Sequence, residues 1–202
     1  VVAALQTMEA SDSPTYGLPG YWYIVQKFDN DGNLIYGTGT SGYGAYPYGS
    51  SLDSDTAGNL YWGGVFHGYM GFGSGVLLNP NDIVEGFLAK YEQNGTIAWA
   101  KNMGGYGGQI GGTSLSTNND EQISVVGNFG TRVTVDSVTI QGYGDFFVSM
   151  FESSGKLLWI NGAGGSDADW VTAVATDMEG STYVTGGYGS SVIDFDSLKI
   201  SN

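Results

Sequence analysis

Carboxylates and aromatic rings must carry any chemistry here, because little else reactive is present. His67 is the single histidine among 202 residues, and there is no cysteine. That removes disulfides, thiolate nucleophiles, thiolate zinc sites and iron–sulfur clusters together. A lone histidine acts as a general base only when a carboxylate orients it and a nucleophile stands within reach. His67 sits in His67-Gly68-Tyr69-Met70-Gly71, where spacing offers neither partner. An exposed loop histidine is the expectation.

Oxygen-rich turns are the metal candidates. Asp29-Asn30-Asp31-Gly32-Asn33 alternates oxygens ahead of a glycine, a pattern able to wrap a hard cation. Asn33 fills the fifth ligand position of an EF-hand loop, but Thr40 stands at the twelfth, where a bidentate Glu belongs. Asp53-Ser54-Asp55-Thr56-Ala57-Gly58-Asn59 is a second such turn. Asp29, Asp31, Asp53 and Asp55 are the candidate calcium ligands, and a plain hairpin-turn role is the favoured alternative. No cofactor other than calcium is expected.

Two acid pairs, Asp167/Asp169 and Asp194/Asp196, have the i, i+2 spacing that puts both carboxylates on one face of a strand. Glycoside cleavage needs two such groups flanking a bond. Asp136 occupies the position equivalent to Asp196, however, so that member reads as structural. Lys27 and Lys90 are repeat positions as well, and each is expected to meet a carboxylate within or between structural units. A second group of candidates is aromatic. Tyr43, Tyr46, Tyr69, Tyr106, Tyr143 and Trp170 fall in Gly-rich corners outside the periodic strand positions. Rigid rings with little rotamer entropy suit contact with a carbohydrate or a protein, or they cap sheet edges.

Composition narrows the partners. Acids number 20 and bases 6, for a net charge of -14, so the clustered Lys and Arg that bind a phosphate backbone are missing. Nucleic acid is excluded. No apolar run reaches the roughly 18 residues of a membrane helix. Hydrophobic residues make up 41%, enough for a core, while the 35 glycines lack the triplet period of collagen. Val1 to Leu5 are apolar without a basic flank, and the first residue is not Met, so a processed or partial chain is expected. The acidic composition, rich in Gly, Ser, Thr, Asn and Tyr, points to an exported bacterial protein.

The candidates are carried by an internal repeat. Tyr23 to Tyr36, Phe87 to Trp99 and Phe147 to Trp159 each hold an apolar run, a short turn ending in Gly, and a second run bearing an aromatic. Their turn glycines are Gly32, Gly95 and Gly155. A second unit follows each, at Asp55–Phe66, Asn118–Phe129 and Asp177–Tyr188, anchored by Gly64, Gly127 and Gly186. Both sets keep a period of about 60 residues. The runs are short and rich in Val, Ile, Tyr, Phe and Trp, as half-buried strands require, and no stretch has helical period with caps. The chain is all-β. Four strands per repeat, arrayed radially, make a β-propeller blade.

The F-[VL]-x-K-[YF] run, Asn-Gly or Asp-Gly turn, Trp-bearing strand, Gly-Gly corner and D-x-x-G-x-x-Y-V-T-G run resemble bacterial β-propeller repeat proteins of the SBBP type. The matching residues are Lys27, Lys90, Gly32, Gly95, Trp99, Trp159, Gly104, Gly105, Gly164, Gly165, Asp177, Gly180 and Tyr183 to Gly186. The resemblance covers about residues 21–202 and departs at Met150, Asn118 and Ser124. It implies a propeller from a large exported or surface-anchored protein.

The expected layout is a lead-in at 1–20, blades near 21–66, 86–129 and 145–188, and a connector at 189–202 to a further blade. Tyr36, Trp99 and Trp159 are expected to be buried at equivalent positions. The expected function is a noncatalytic secreted or cell-surface module for adhesion, assembly or spacing. Its partners would be protein, a copy of itself, or a cell-surface glycan bound with or without calcium.

Overall fold

The computed structural model describes residues 2–12, 19–43, 51–73, 75–78, 83–104, 111–196 and 198–201. Strands fill most of them, all paired antiparallel, and there is no helix among the described residues. A first sheet runs β1 (Val2–Asp12), β2 (Pro19–Phe28), β3 (Leu34–Gly39). The second contains β5 (Ser51–Ser54), β6 (Leu60–Phe66), β9 (Glu85–Tyr91) and β10 (Ile97–Met103) in that spatial order. The third repeats it with β11 (Gly111–Thr117), β12 (Ile123–Phe129), β15 (Asp145–Phe151) and β16 (Leu157–Ala163). β17 (Asp169–Thr176) and β18 (Thr182–Tyr188) form a two-stranded sheet.

Small hairpins link the middle strands. β7 (Tyr69–Phe72) and β8 (Gly75–Leu78) pair with each other, and β4 (Ser41–Tyr43) joins them through β7. The pairs β13 (Arg132–Val135) with β14 (Val138–Gln141), and β19 (Val192–Phe195) with β20 (Leu198–Ser201), are equivalents one repeat apart. Asp136 and Asp196 turn those two hairpins with φ of 52° and 57°. Left-handed backbone tolerates Asp through local hydrogen bonding, which explains the repeat of that acid. Gly104 bridges to Thr134 and Gly164 to Asp194, so each Gly-Gly corner is clamped by the hairpin that follows it.

The sheets are cut half a repeat away from the expected segments. β6 pairs with β9 (Leu60↔Tyr91), and β12 with β15 (Ile123↔Phe151). A sheet therefore spans 51–103 or 111–163, where 21–66, 86–129 and 145–188 had been expected. Residues 2–12 of the expected lead-in supply β1, paired with β2. The period is the same wherever counting starts, and local turn signals cannot say which hairpin pairs with which.

The short turns behave as their residues dictate. The backbone N–H groups of Asp29, Asp55, Glu92, Asn118, Glu152 and Asp177 each donate to the carbonyl four residues on, at Asn33, Asn59, Thr96, Gln122, Lys156 and Ser181. Five of these turns close on a left-handed glycine, Gly32, Gly58, Gly95, Gly155 or Gly180, and the sixth puts Glu121 there.

Side chains alternate between the two faces of a strand with a period of two. In β6, Leu60, Trp62 and Phe66 enter a cluster with Tyr23, Val25, Phe87 and Tyr91, between the first two sheets. Tyr61 and Val65 enter a second cluster with Leu115, Val125, Phe147 and Phe151, between the second and third. Both faces of β6 are thus covered, and all seven of its residues are buried. A smaller cluster of Val126, Phe146, Ala163, Val171 and Ile193 joins the third sheet to β17.

Candidate functional site

Neighbouring sheets are joined by a seam that repeats. On the β5 side, Ser51 Oγ accepts the Leu115 N–H at 3.1 Å and Asp53 Oδ2 accepts the Thr117 N–H at 2.7 Å. One repeat later Ser114 Oγ accepts from Val174 N at 3.4 Å and Ser116 Oγ from Thr176 N at 3.1 Å. On the far side of the sheets an aromatic of one packs on the turn glycine of the next. A Cβ on Gly95 would lie 2.7 Å from the Tyr36 ring, and one on Gly155 would lie 3.0 Å from Trp99. Trp99 Nε1 also donates to the Ser153 carbonyl at 3.1 Å, and Lys101 Nζ to the Gly155 carbonyl at 2.6 Å. The two anchors of the repeat, glycine and aromatic, are therefore partners of each other across the seam.

The expected burial of the three aromatics is corrected: Tyr36 and Trp99 are half-buried where they cover a turn glycine, and the third is more exposed. Trp159 is 38% exposed, because no turn glycine faces it among the described residues. The expected carboxylate partners of Lys27 and Lys90 are also corrected. Lys27 Nζ reaches the Gly58 and Gln93 carbonyls of neighbouring turns at 3.5 and 3.4 Å, and Lys90 lies over the Tyr61 ring at 5.6 Å. Turn carbonyls converge there, and a cation answers them as well as it answers an acid. The ion pair across the seam belongs instead to Lys101, 2.8 Å from Asp136.

The four candidate calcium ligands lie in two separate turns, and N–H and O–H donors occupy the oxygens of Asp29, Asp53 and Asp55. Asp29 Oδ1 accepts from Asp31 N and Asn33 N at 2.9 and 2.8 Å, and Oδ2 from Asn33 Nδ2. Those bonds, the Asn33 side chain first, hold the Asp29 carboxyl below its usual range. Asp31 is exposed. Asp53 is the seam acceptor, and Asp55, buried, receives Asn59 N, Asn59 Nδ2 and the Tyr61 hydroxyl. No group of three or more His, Asp or Glu suited to a metal ion occurs among the described residues.

Of the candidate aromatics, Tyr143 is 73% exposed, Trp170 47% and Tyr69 41%. Tyr43 is in β4, opposite Tyr69 across the β4–β7 ladder. Tyr46 and Tyr106 lie outside the described residues. The three described rings sit on different elements and make no common platform. His67 follows β6, partly buried. Asp169 is a clamp: it accepts from Gly189 N, Ser190 N and Ser190 Oγ at 3.0, 3.2 and 2.8 Å.

One polar cavity, of about 440 Å³, opens beside β16, lined by Phe129, Ile140, Asn161, Asp145, Asp194 and Asp196 among others. Asp145 is 7% exposed; its Oδ2 accepts the Tyr143 N–H at 2.9 Å, and its Oδ1 makes no well-aligned hydrogen bond, with the Gly165 N–H acting on the carboxyl only weakly. Asp194 Oδ1 is likewise buried without a partner, while Oδ2 holds Lys199 at 2.8 Å. Desolvation, with the nearby Asp169 charge as a lesser cause, raises the Asp145 pKa.

The previous repeat explains the cavity. There Glu85 stands at the Asp145 position, and its Oε2 receives Asn102 Nδ2 at 3.1 Å. The third sheet has a shorter acid and Gly162 in place of that amide, so an acceptor is stranded and a space opens. A Cβ on Gly142 or Gly164 would strike the Asp145 carboxylate. Sequence reasoning missed Asp145; the joint change of Glu85 to Asp145 and Asn102 to Gly162 was the available signal. Two unpaired carboxylate oxygens can accept hydrogen bonds from a hydroxyl-bearing ligand.

No protein-family model matches this chain, and no curated protein matches it.

Proposed function

We propose that this chain is an arc of a β-propeller of the SBBP type, and that it works as a noncatalytic assembly or adhesion module of a secreted or cell-surface bacterial protein. The carrying observation is the repeated seam. Ser51 and Asp53 on β5 hold β11, and Ser114 and Ser116 on β11 hold β17, so short strands of successive sheets stand side by side. Four-stranded antiparallel sheets stacked through equivalent edges are how a radial array covers its faces. The -14 charge and the lack of cysteine agree with a soluble exported module. Averaged electron-microscope projections of the native protein should display a ring of four to eight sheets. An open stack in every view would remove the propeller. Protease shaving of intact cells tests the address.

A second reading is a glycan-binding module, favoured by the unpaired Asp145 and Asp194 oxygens in the cavity beside β16. Sugar hydroxyls are donors of the kind those atoms lack. A glycan array run with and without chelator tests both binding and its dependence on calcium. Signal abolished by Asp145→Ala supports the cavity; silence in both conditions removes it.

A further inference from the structure

We propose that the cavity beside β16 binds a protonated primary amine, presented by an amino sugar whose nitrogen carries no acetyl group. This narrows the glycan-binding reading above and rests on it.

The second sheet holds the same spot already filled. There Asn102 Nδ2 donates to Glu85 Oε2 at 3.1 Å, and Lys101 Nζ donates to Asp136 Oδ1 at 2.8 Å. One repeat on, Lys101 and Asn102 become Asn161 and Gly162, while the two acids become Asp145 and Asp196. Thr134 becomes Asp194, which adds a third carboxylate. Every substitution runs in one direction. The ammonium and the amide that β10 aims at these acids have no counterpart on β16, and each acceptor is kept.

Burial gives a second and independent observation. Asp145 is 7% exposed, lines the cavity, and has no well-aligned donor to its Oδ1. Asp194 Oδ1 is buried without a partner too, although Lys199 holds Oδ2 at 2.8 Å. A buried carboxylate oxygen left without a donor is costly, and a ligand that supplies one recovers that cost on binding. The chain cannot readily supply it from within. A Cβ on Gly142 or Gly164 would strike the Asp145 carboxylate, and one on Gly162 would strike the Ile140 side chain. The amide of Asn102 therefore has no room at 162 unless Ile140 moves.

The deep end of the cavity lies on the side of the third sheet that faces the second. Phe129 and Ile140 line it and belong to the core between those two complete sheets, so its want of a donor does not depend on what stacks beyond β17. At the rim, the second sheet shows what a stacked neighbour contributes: the Gly155 carbonyl, a further acceptor, bonded by Lys101 at 2.6 Å. An ammonium group suits this surplus, with three donors, no acceptor and a positive charge. Acetylation would remove the charge and add a carbonyl where acceptors are already in excess. Gln141 and Asn161 supply side-chain amides that donate and accept together, as sugar hydroxyls require. The volume of about 440 Å³ falls within the range of small-ligand sites.

Calorimetric titration of the whole chain at neutral pH with glucosamine, N-acetylglucosamine, glucose and n-butylamine tests the proposal. Glucosamine should bind about tenfold or more tightly than its acetylated form or glucose, the worth of one charged hydrogen bond. Asp145→Asn, which keeps the shape of the site, should weaken glucosamine by about the same factor. Asn161→Lys should abolish binding by tethering an ammonium where β10 has Lys101, and a cooperative melt of each variant shows that it is folded. Binding that survives both variants lies elsewhere and overturns the site. Equal affinity for all three sugars overturns the ammonium and leaves the glycan reading standing. Equal affinity for n-butylamine keeps the ammonium and removes the sugar, and with it the glycan reading. Silence from all four ligands at high millimolar concentration overturns both. Calcium that binds in their place, and is lost in Asp145→Asn, overturns the amine in favour of a metal ion.

Discussion

β6 and β18 are the same strand two repeats apart, and they have opposite surroundings. Tyr61 and Tyr183 each bond an acid six residues upstream, and Gly64 and Gly186 mark the same position. Yet every residue of β6 is buried, while β18 keeps four consecutive exposed positions. The local sequence made both into strands, and the neighbours alone made one of them core. A repeat sheet buries its faces only against the next sheet, so the worth of a side chain here depends on whether its seam is filled.

The largest effect that separates the two should come from Trp62, fully buried in β6 with rings of Tyr23 and Phe87 edge-on at 5.1 and 4.9 Å. Trp62→Ala should cost about 3–5 kcal/mol in urea unfolding. Val184→Ala, at the equivalent position of β18, should cost under about 0.5 kcal/mol in the single chain. Equal losses would mean that β18 is covered after all.

The outer aromatics give the next contrast. Trp99 packs on Gly155 and donates to the Ser153 carbonyl, while Trp159 has neither partner among the described residues. Trp99→Ala should lower stability by about 2–3 kcal/mol, combining part of a packing loss with one lost hydrogen bond. Trp159→Ala in monomeric chain should stay below about 1 kcal/mol. A reversal of that order would place the filled seam at the wrong end.

How much of this was readable beforehand differs between the turns and the seams. Asp29-Asn30-Asp31-Gly32 is a local device, and its side chain, backbone and left-handed glycine all lie within five residues. Such turns, and the strands on either side, are legible without tertiary knowledge. Which hairpins share a sheet depends on contacts such as Leu60 with Tyr91, far apart in the chain, and no local signal carries them. The cavity at Asp145 is a further step removed. It exists because an acid shortened and an amide vanished at two positions that touch only in the fold. Ser124 and Met150, noted as departures from the repeat, turn out to be one paired change seen twice.

Glycine substitutions sharpen the comparison at smaller scale. Gly32 and Gly155 both have φ near +84°, so an alanine at either is strained by about 1–2 kcal/mol of left-handed backbone. Only at Gly155 does the new methyl group also press on Trp99, at 3.0 Å. Gly155→Ala should therefore be the more destabilising of the two, by about 1 kcal/mol. Matching values would show that the indole moves aside freely.

The smallest effect distinguishes Asp145 from the turn acids by its sign. Its carboxyl is raised, mainly by desolvation, so above that pKa the folded state holds a charge the unfolded chain carries more easily. Stability from this group should rise as the pH falls through the folded pKa and be fully recovered below the unfolded one. Asp29 and Asp177 are lowered instead and must work the other way: their contribution is present above the unfolded pKa and is lost as the pH falls through the folded one. Asp145→Asn removes only the first trend. At pH 7 the variant should melt about 1–2 °C higher than the parent, and the gap should close toward pH 4 as the parent carboxyl takes up its proton. A gap that widens on acidification would mean that the ionised Asp145 is stabilised by a partner, and that the cavity beside β16 is not short of a donor.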